Sequence, residues 1–315
     1  MKKLISIVSS AYNEENNIDE LARQLRLVFD ENPEYDFEVI LVENGSTDRT
    51  FERMRSIYEK DHRFKIVQLS RNFRMDGGVT AGLTYARGDA AVIMTANLQD
   101  KPAVITEMIK KWEAGYENVY GIVKARPGKG FFRRLNSQLF YALANWLTGR
   151  MIPKNVSDFR LVSREVYEAI NAMHERNRFL RGMFAWTGFR SIGVEYERAP
   201  RFAGRSHARF LQVLQLAVQG LFAFSYVPIR FIAALGFCLS GISVLYLVYT
   251  VIKVLTTGVP FPGYGTIVSL ILLMFGFLFL TLGVLGQYIA QIYEEVKGRP
   301  NYIVRHEIGL GERDG

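Results

Sequence analysis

Two long apolar runs near the C-terminus constrain the fold of this chain more than any other feature. They cover residues 231–252 and 267–289, each is over 20 residues long, and neither contains Asp, Glu, Lys or Arg. About 20 helical residues cross the ~30 Å hydrocarbon core of a bilayer. The sequence therefore predicts two transmembrane helices within residues 230–290, preceded by a water-soluble domain over residues 1–205.

The connection between the two runs predicts a helical hairpin. It is short (residues 253–266) and contains Pro260, Pro262 and Gly263, which favour a turn. The loop has one basic residue, Lys253, whereas the ends of the hairpin carry Arg230, Lys297, Arg299 and Arg305. Basic flanks stay on the cytoplasmic side. We therefore expect a multi-pass protein of the inner or plasma membrane, with the N-terminal domain and the tail (residues 291–315) in the cytoplasm.

Composition narrows the classes of partner. The chain has 315 residues, a formal net charge of +8 and a pI near 9.5. Such a charge suits nucleic acid, an anionic membrane surface or anionic substrates. The sequence has no zinc-finger, helix-turn-helix or aromatic–basic RNA-binding pattern, so the membrane and anionic substrates are favoured over nucleic acid. The single cysteine, Cys238, excludes an intrachain disulfide and a cysteine zinc site, which fits a reducing compartment.

The N-terminal domain alternates strand and helix patterns. Short apolar segments predict strands at residues 4–8, 37–42, 65–69 and 90–94, and helical spacing of apolar residues predicts helices at 18–30, 50–59 and 77–86. This alternation predicts an α/β fold with a mostly parallel sheet. Parallel sheets bind ligands outside the carboxyl ends of their strands. We expect one crevice lined by the polar clusters that follow the strands, at residues 11–15, 43–48, 71–72 and 95–100.

Two further segments have the composition of amphipathic helices that lie in the headgroup plane. Residues 130–149 carry aromatic and leucine residues with two arginines near the start, and residues 206–229 include an uncharged apolar stretch with three glutamines. Ordinary core packing is the alternative for both. Their position ahead of the hairpin favours the interfacial interpretation.

Five short motifs occur in order along the chain: Ser-Ser-Ala-Tyr-Asn-Glu-Glu at 9–15, Glu-Asn-Gly-Ser-Thr-Asp at 43–48, Asn-Leu-Gln-Asp at 97–100, Ser-Asp-Phe-Arg-Leu at 157–161 and Arg-Phe-Ala-Gly-Arg-Ser at 201–206. The first three resemble family 2 glycosyltransferases of the GT-A fold. With the last two and the hairpin, the chain is similar to polyprenyl-phosphate glycosyltransferases, such as bactoprenol glucosyltransferases and dolichyl-phosphate mannose synthases. The resemblance implies inverting transfer of one sugar, glucose, from a UDP-sugar to undecaprenyl phosphate.

The cluster after the first strand has the chemistry of a nucleotide site. The ring of Tyr12 can stack on a base, while Asn13, Glu14 and Glu43 can bond to the base edge or the ribose hydroxyls. The resemblance assigns nucleotide-sugar binding to Ala11, Tyr12, Asn13, Glu14, Glu43 and Asn97. Capping of the following helix is the alternative role for Asn and Glu after a strand.

The turn after the fourth strand departs from the family pattern. The family has Asp-x-Asp-x-Gln, whose carboxylates bind a divalent ion, and this chain has Thr95, Asn97 and Gln99 at those positions. Hard cations prefer anionic oxygens, so we expect weak intrinsic affinity for Mg²⁺ or Mn²⁺. The ion could bind only together with the nucleotide, through Asn97, Gln99 and Asp100. Metal-free catalysis and an impaired variant remain open.

The resemblance places the catalytic carboxylate at Asp158, with Arg160 beside it. The second pKa of a phosphate monoester is about 6, so a lipid-phosphate acceptor is mostly ionised near neutral pH. We therefore expect Asp158 to orient the acceptor, or to hold Arg160 and the metal, more than to remove a proton. A structural salt bridge with Arg160 is the alternative.

An anionic acceptor beside an anionic donor requires cations and hydrogen-bond donors. The candidates for the lipid phosphate are Arg126, Arg133, Ser137, Arg201 and Ser206; arginine binds phosphate with two parallel hydrogen bonds. The spacing of Arg133 and Ser137 also matches the family's lipid-phosphate motif. Contact with lipid headgroups is the alternative for the arginines. His207-Ala208 replaces the lysine and aromatic residue usual in the family, which leaves the lipid contacts at this point in doubt.

Two other functions fit parts of the sequence. A processive polysaccharide synthase shares the N-terminal domain but has more spans and a Gln-x-x-Arg-Trp motif, which none of the three tryptophans here belongs to. A membrane scaffold or sugar sensor that has lost the metal site is compatible with Thr95 and Asn97. Because a two-helix hairpin buries little by itself, we also expect a homo-oligomer, with a tetramer as the hypothesis.

Overall fold

The computed structural model describes residues 2–124, 156–176, 178–198, 227–257 and 263–311. Both predicted interfacial segments, residues 130–149 and nearly all of 206–229, lie outside these ranges. So do the five candidates for the lipid phosphate: Arg126, Arg133, Ser137, Arg201 and Ser206. The chain forms two compact units: Met1–Val213 with Arg299–Gly315, and Leu214–Gly298.

The first unit is built on an eight-stranded sheet with the order β7-β5-β6-β4-β1-β2-β3-β8. Its strands are β1 (Leu4–Ala11), β2 (Asp36–Glu43), β3 (Phe64–Leu69), β4 (Ala90–Thr95), β5 (Asn118–Val123), β6 (Val156–Ser163), β7 (Ser191–Tyr196) and β8 (Val304–Ile308). Its helices are α1 (Ile18–Glu31), α2 (Thr50–Lys60), α3 (Arg74–Tyr85), α4 (Val104–Glu113), α5 (Arg164–Ala172) and α6 (Leu180–Trp186).

The four predicted strands form the parallel centre of the sheet. β1 pairs with both β2 and β4, so that Ile7 lies beside Val39 on one side and Val92 on the other. All three side chains are fully buried. Central strands that helices cover on both faces need such continuous apolar runs. The predicted α/β fold with a mostly parallel sheet is therefore confirmed.

The register of the strands brings four chain segments to one edge of the sheet. Ala11 at the end of β1 is level with Glu43 at the end of β2, and Ser10 is level with Thr95 at the end of β4. β6 runs antiparallel to β4, with Arg160 opposite Ile93. Continuing this register puts Asp158 level with Thr95. The carboxyl ends of β1, β2 and β4 and the amino end of β6 thus define the candidate site.

The second unit contains two long helices, α7 (Val227–Thr257) and α8 (Tyr264–Lys297). Both predicted runs are therefore helical. α8 ends at Gly298, whose φ of +66° is the left-handed conformation that commonly terminates helices. By length and composition, one stretch of the described helices, Leu273–Lys297, qualifies to cross a membrane. Large apolar side chains along it are exposed, including Leu273, Met274, Phe275 and Phe279.

Candidate active site

Hydrogen bonds join the loops after β1 and β2 into one substructure. The Asn13 amide N–H donates to Ser46 Oγ (3.1 Å), and the Thr47 N–H donates to Asn13 Oδ1 (2.8 Å). The φ of Asn13 is +54°, a left-handed conformation in which Asn is over-represented. In this conformation the side-chain oxygen of Asn13 therefore accepts its hydrogen bond from the neighbouring loop.

Two carboxylates predicted to bind nucleotide also stabilise these loops. Glu43 is buried, and its Oε1 accepts the Ser46 N–H. The Glu14 carboxylate accepts a hydrogen bond from the Asn17 side chain. Ala11 is buried at the end of β1 and Tyr12, the residue after it, is partly buried. The structure thus brings Ala11, Tyr12, Asn13, Glu14 and Glu43 together, and local stabilisation and nucleotide binding can both use the same cluster.

Asn44, the residue after Glu43, stabilises the loop that follows β2. Its Oδ1 accepts the Phe73 N–H (2.9 Å) and its Nδ2 donates to the Arg74 carbonyl (2.7 Å), so it ties the end of β2 to the start of α3. An amide offers a donor and an acceptor, whereas an ionised carboxylate offers acceptors alone. Aspartate at this position would face the Arg74 carbonyl with a negative oxygen, so asparagine fits this loop better.

The turn after β4 holds its polar side chains together without a carboxylate. Asn97 Oδ1 accepts hydrogen bonds from Thr95 Oγ1 (2.9 Å) and from the Gln99 N–H (3.1 Å). Among the described residues, no group of three or more His, Cys, Asp or Glu side chains is placed to hold a metal ion. The neutral, internally bonded oxygens of this turn do not fit a resident divalent ion.

Asp100, the remaining metal candidate, belongs to a separate buried network. Its carboxylate accepts a hydrogen bond from the Tyr196 hydroxyl and forms an ion pair with Arg198 (3.0 Å). The Tyr196 hydroxyl also lies 2.9 Å from Ser157 Oγ. Burial and the negative charge of Asp100 raise the pKa of Tyr196. Asp100 thereby connects the β4 turn to the start of β6, next to Asp158.

Asp158 is held by Arg181 rather than by Arg160. Arg181 Nε donates to Asp158 Oδ1 (2.5 Å) and Nη2 donates to Oδ2 (2.6 Å), a two-pronged contact from α6. Arg160 is buried, with its guanidinium 4.3 Å from the centre of the Phe184 ring and its Nη2 3.4 Å from the Ser157 carbonyl. The salt bridge of Asp158 thus crosses from β6 to Arg181 on α6 and does not involve Arg160, its partner in the alternative role.

The charges around Asp158 shift several pKa values. Burial alone would raise the pKa of Asp158, but the hydrogen bonds and charge of Arg181 outweigh it and leave the pKa below its ordinary value. Burial lowers the pKa of Arg160 to about 10. Burial and the nearby charge of Asp158 raise the pKa of Asp76 to about 6. Asp158 is therefore a weak base at neutral pH. The pKa of Asp76, about 6, lies close to neutral pH.

Asp76 and Arg181 are site residues that the sequence patterns did not single out. Together with Asp158 and Arg160 they line one small cavity, whose apolar wall includes Phe184. Asp76 lies in the first turn of α3 and Arg181 in the first turn of α6. A charged residue in the first turn of a helix was the available signal, but it carries no information about which strand the side chain meets.

Comparison with known proteins places this site in a family context. The family model described as glycosyl transferase family 2 matches residues 6–170. An uncharacterized glycosyltransferase of Synechocystis is 38% identical over 307 residues, covering 97% of this chain and 96% of that protein. The SfII prophage-derived bactoprenol glucosyl transferase of Shigella flexneri is 36% identical over 301 residues, covering 96% of this chain and 97% of that protein.

A solved structure supports the fold of the first unit. Glucosyl-3-phosphoglycerate synthase from Mycobacterium tuberculosis, in complex with Mn²⁺, UDP and phosphoglyceric acid, has a TM-score of 0.50 and 18% sequence identity to this chain. The match covers 70% of this chain and 76% of that one. At this identity the likeness concerns the fold alone.

Proposed function

The chain belongs to glycosyl transferase family 2 and has the GT-A fold, and from this premise we propose that it transfers one glucose from UDP-glucose to a polyprenyl phosphate. The acceptor is undecaprenyl phosphate, reached at the cytoplasmic face of the membrane. The observation that carries the proposal is the 36% identity to a bactoprenol glucosyl transferase over 96% of this chain. That extent includes the two long helices as well as the candidate site.

The donor site is assigned to the joined loops after β1 and β2. Tyr12 supplies a ring for the base, and the carboxylates of Glu14 and Glu43 lie where the strands end. Ala11, Asn13 and Asn97 complete the assignment for the nucleotide sugar. The position of these loops at the carboxyl ends of parallel strands supports it, because ligands of open α/β sheets bind there.

The acceptor chemistry follows from the state of Asp158. An oxygen of the lipid phosphate attacks the anomeric carbon from the side opposite the leaving group. The bond from that carbon to the UDP oxygen breaks, and its electron pair leaves with UDP, so the configuration inverts. A phosphate monoester has a second pKa of about 6 and needs no strong base. The lowered pKa of Asp158 supports a role in orienting the acceptor rather than in proton removal.

Cations are needed to bring the two anionic substrates together. In the described part of the chain, Arg160 and Arg181 supply positive charge beside Asp158. The lipid phosphate itself is assigned to Arg126, Arg133, Ser137, Arg201 and Ser206. Cations placed where charge develops on the leaving group stabilise the transition state.

The proposed use of a divalent ion differs from the family pattern, because the β4 turn lacks the usual carboxylates. The neutral oxygens of Thr95, Asn97 and Gln99 do not form a metal site in this conformation, and Asp100 is paired with Arg198. Mg²⁺ or Mn²⁺ would therefore enter as a companion of the nucleotide diphosphate. The Mycobacterium tuberculosis synthase of similar fold holds Mn²⁺ and UDP in the same complex.

Chain connectivity supports two membrane crossings. The chain leaves the first unit after Val213 and returns to it at Arg299. A segment that leaves one side of a membrane and returns to the same side crosses an even number of times. α8 qualifies as one crossing, and α7, with 31 residues, is about 46 Å long and sufficient for the other. Assembly of such hairpins into a homo-oligomer, with a tetramer as the working number, is tested by crosslinking in native membranes.

The two alternative functions are less well supported. A processive synthase needs more membrane spans than the two proposed here. The match that covers 96% of this chain is to a bactoprenol glucosyl transferase. A scaffold or sensor is suggested by the neutral β4 turn, but the carboxylate and arginine pair at Asp158 and Arg181 is intact. Turnover of the donor separates either from the proposed enzyme.

The decisive experiment is transfer of radiolabelled glucose from UDP-glucose to undecaprenyl phosphate by the purified full-length protein in detergent. We expect a labelled lipid product that depends on both substrates and is lost in Asp158→Asn. GDP-mannose and UDP-GlcNAc, run in parallel, define the preferred donor. A protein that retains its thermal transition but transfers none of the three sugars would refute the proposal and favour the sensor.

A further inference from the structure

The position and plane of the Asp158 carboxylate are fixed by a side chain from another element. Both carboxylate oxygens are bonded to a single arginine on another element, at 2.5 and 2.6 Å. A carboxylate accepts about four hydrogen bonds, so this contact leaves lone pairs free while fixing the plane of the group. Asp158 and Arg181 are each about one third exposed, which keeps the pair within reach of a substrate.

Asp76 lies beside the turn that carries Arg181. It lines the same small cavity as Leu180, Arg181 and Asp158, and Leu180 immediately precedes Arg181 in the first turn of α6. Asp76 lies in the first turn of α3, the helix that Asn44 ties to the end of β2. The first turns of α3 and α6 thus meet Asp158 at one cavity.

We propose that Arg181 and Asp76 are positioning residues for the transfer reaction: Arg181 fixes the Asp158 carboxylate, and Asp76 fixes the turn that presents Arg181. The inference rests on the proposed function, because it takes Asp158 as the group that orients the acceptor phosphate. Arg160 does not duplicate this role, since its guanidinium lies over the Phe184 ring and makes only a long contact to the Ser157 carbonyl.

Because a second carboxylate, that of Asp76, lies near Asp158, the pH dependence of the transfer rate tests this arrangement. Charged and titratable groups on several surrounding elements face Asp158, Asp76 or Arg160. They are Arg160 on β6, Tyr120 on β5, Asp76 on α3, Arg178 ahead of α6, Arg181 on α6 and Arg198 after β7. Arg181 lowers the pKa of Asp158 against the effect of burial. Removing the Arg181 charge must therefore raise the pKa of Asp158, whereas removing the Asp76 charge cannot raise it.

The first test compares Arg181→Lys and Arg181→Gln with the wild-type protein in the glucose-transfer assay. Lysine keeps the charge but cannot form the two-pronged contact, and loss of alignment by about 1 Å can cost on the order of 100-fold in rate. We expect kcat to fall about 10-fold to 100-fold in Arg181→Lys and further in Arg181→Gln. The KM for UDP-glucose should stay within about two-fold, because the donor loops are unchanged.

A matched control exists on the surface of α1. Arg23 Nε and Nη2 bond to the two oxygens of Glu20 at 2.7 and 2.6 Å, the same contact made away from the site. Arg23→Lys should leave kcat and KM unchanged. Thermal unfolding of all variants separates loss of alignment from loss of fold.

The second test concerns Asp76. Asparagine keeps the size of the side chain beside the first turn of α6, whereas alanine leaves a gap there. Asp76→Ala should lower kcat about 10-fold, and Asp76→Asn should restore most of it. In the pH profile of kcat, Arg181→Gln should move the acid limb to higher pH by about one unit or more, and Asp76→Asn should not move it upward.

The outcomes distinguish this inference from the proposed function. A wild-type protein that transfers no sugar refutes the proposed function and removes the premise. An active wild type with Arg181→Lys within two-fold of its kcat overturns the positioning role. A rise in KM alone would make Arg181 a donor-binding residue, and a lower kcat with an unmoved acid limb in Arg181→Gln would make it a structural one; either result overturns the inference.

Discussion

At the scale of single residues, Asn97 limits the affinity of the β4 turn for a divalent ion. Its oxygen is neutral and accepts two hydrogen bonds within the β4 turn. A carboxylate is the oxygen ligand that Mg²⁺ prefers. We expect Asn97→Asp to lower the Mg²⁺ concentration for half-maximal transfer by about 10-fold or more, with Asn16→Asp, an exposed site, as the control. The measurement is a Mg²⁺ titration of glucose transfer after EDTA treatment, and equal requirements in both proteins would contradict the explanation.

Asp76 predicts a dependence of stability on pH. Its pKa is about 6 in the folded protein, against 3.8 for the unperturbed group, because of burial and the charge of Asp158. A raised folded-state pKa gives a contribution that is fully present below about pH 4 and is lost as the pH rises through about 6. Two pKa units correspond to at most about 3 kcal/mol, and partial exposure reduces this.

The variant Asp76→Asn should therefore gain unfolding free energy relative to wild type at pH 7.5 and lose that advantage at pH 4. Urea unfolding of the detergent-solubilised protein at the two pH values measures the difference. Asp36→Asn, at an exposed strand end, is the control. A constant difference between wild type and Asp76→Asn from pH 4 to 7.5 would contradict the shifted pKa.

These residues also show what sequence can reveal of the site. Asp158 became a candidate because it lies in a short motif, within β6, that resembles the family's, and local order along the chain carries that information. Its partner Arg181 is 23 residues away on another element. Asp76 meets α6 only after α3 has packed on the sheet. Side-chain contacts that depend on tertiary packing leave no periodic pattern in a single sequence.

At the scale of elements, the central parallel strands were predictable and the edge strands were not. The strand predicted at 4–8 is observed as Leu4–Ala11, and that at 37–42 as Asp36–Glu43, because uninterrupted apolar runs mark strands buried on both faces. β8 has three exposed residues in five, and β7 mixes exposed and buried positions. Such strands are specified by the edge they join, so their own residues give a weak signal.

The edge strand β8 should contribute measurably to stability. It pairs antiparallel with β3, placing His306 opposite Gln68, and the Tyr85 hydroxyl donates to Glu307. Without β8, the hydrogen-bonding groups of β3 would be exposed along one side. A chain that ends at Ile303 should have a Tm lower by several degrees and should aggregate more readily.

Glu307→Gln is the control, because it keeps the strand and an oxygen that can accept from Tyr85. Thermal unfolding of both proteins in the same detergent gives the comparison. A shortened chain with the Tm of the full-length protein would mean that the β3–β8 pairing adds nothing to the stability of the sheet.

At the scale of the whole molecule, the proposed pair of membrane crossings depends on the connectivity of the chain. The chain enters α7 after the first unit and rejoins that unit after α8. In the proposed topology both ends of the helical pair lie on one side of the membrane, and the junction between the helices lies on the other. The excess of basic residues outside the junction favours the cytoplasm for the first unit.

This topology predicts opposite labelling of two introduced cysteines. In a Cys238→Ser background, Thr256→Cys places a thiol at the end of α7 and Arg305→Cys places one on β8. A membrane-impermeant maleimide added to intact spheroplasts should label Thr256→Cys and should label Arg305→Cys only after lysis. Labelling of both thiols before lysis, or of neither, would contradict a two-crossing arrangement. Because the first unit holds the candidate site, the same result fixes the side of the membrane on which the nucleotide-sugar donor must be supplied.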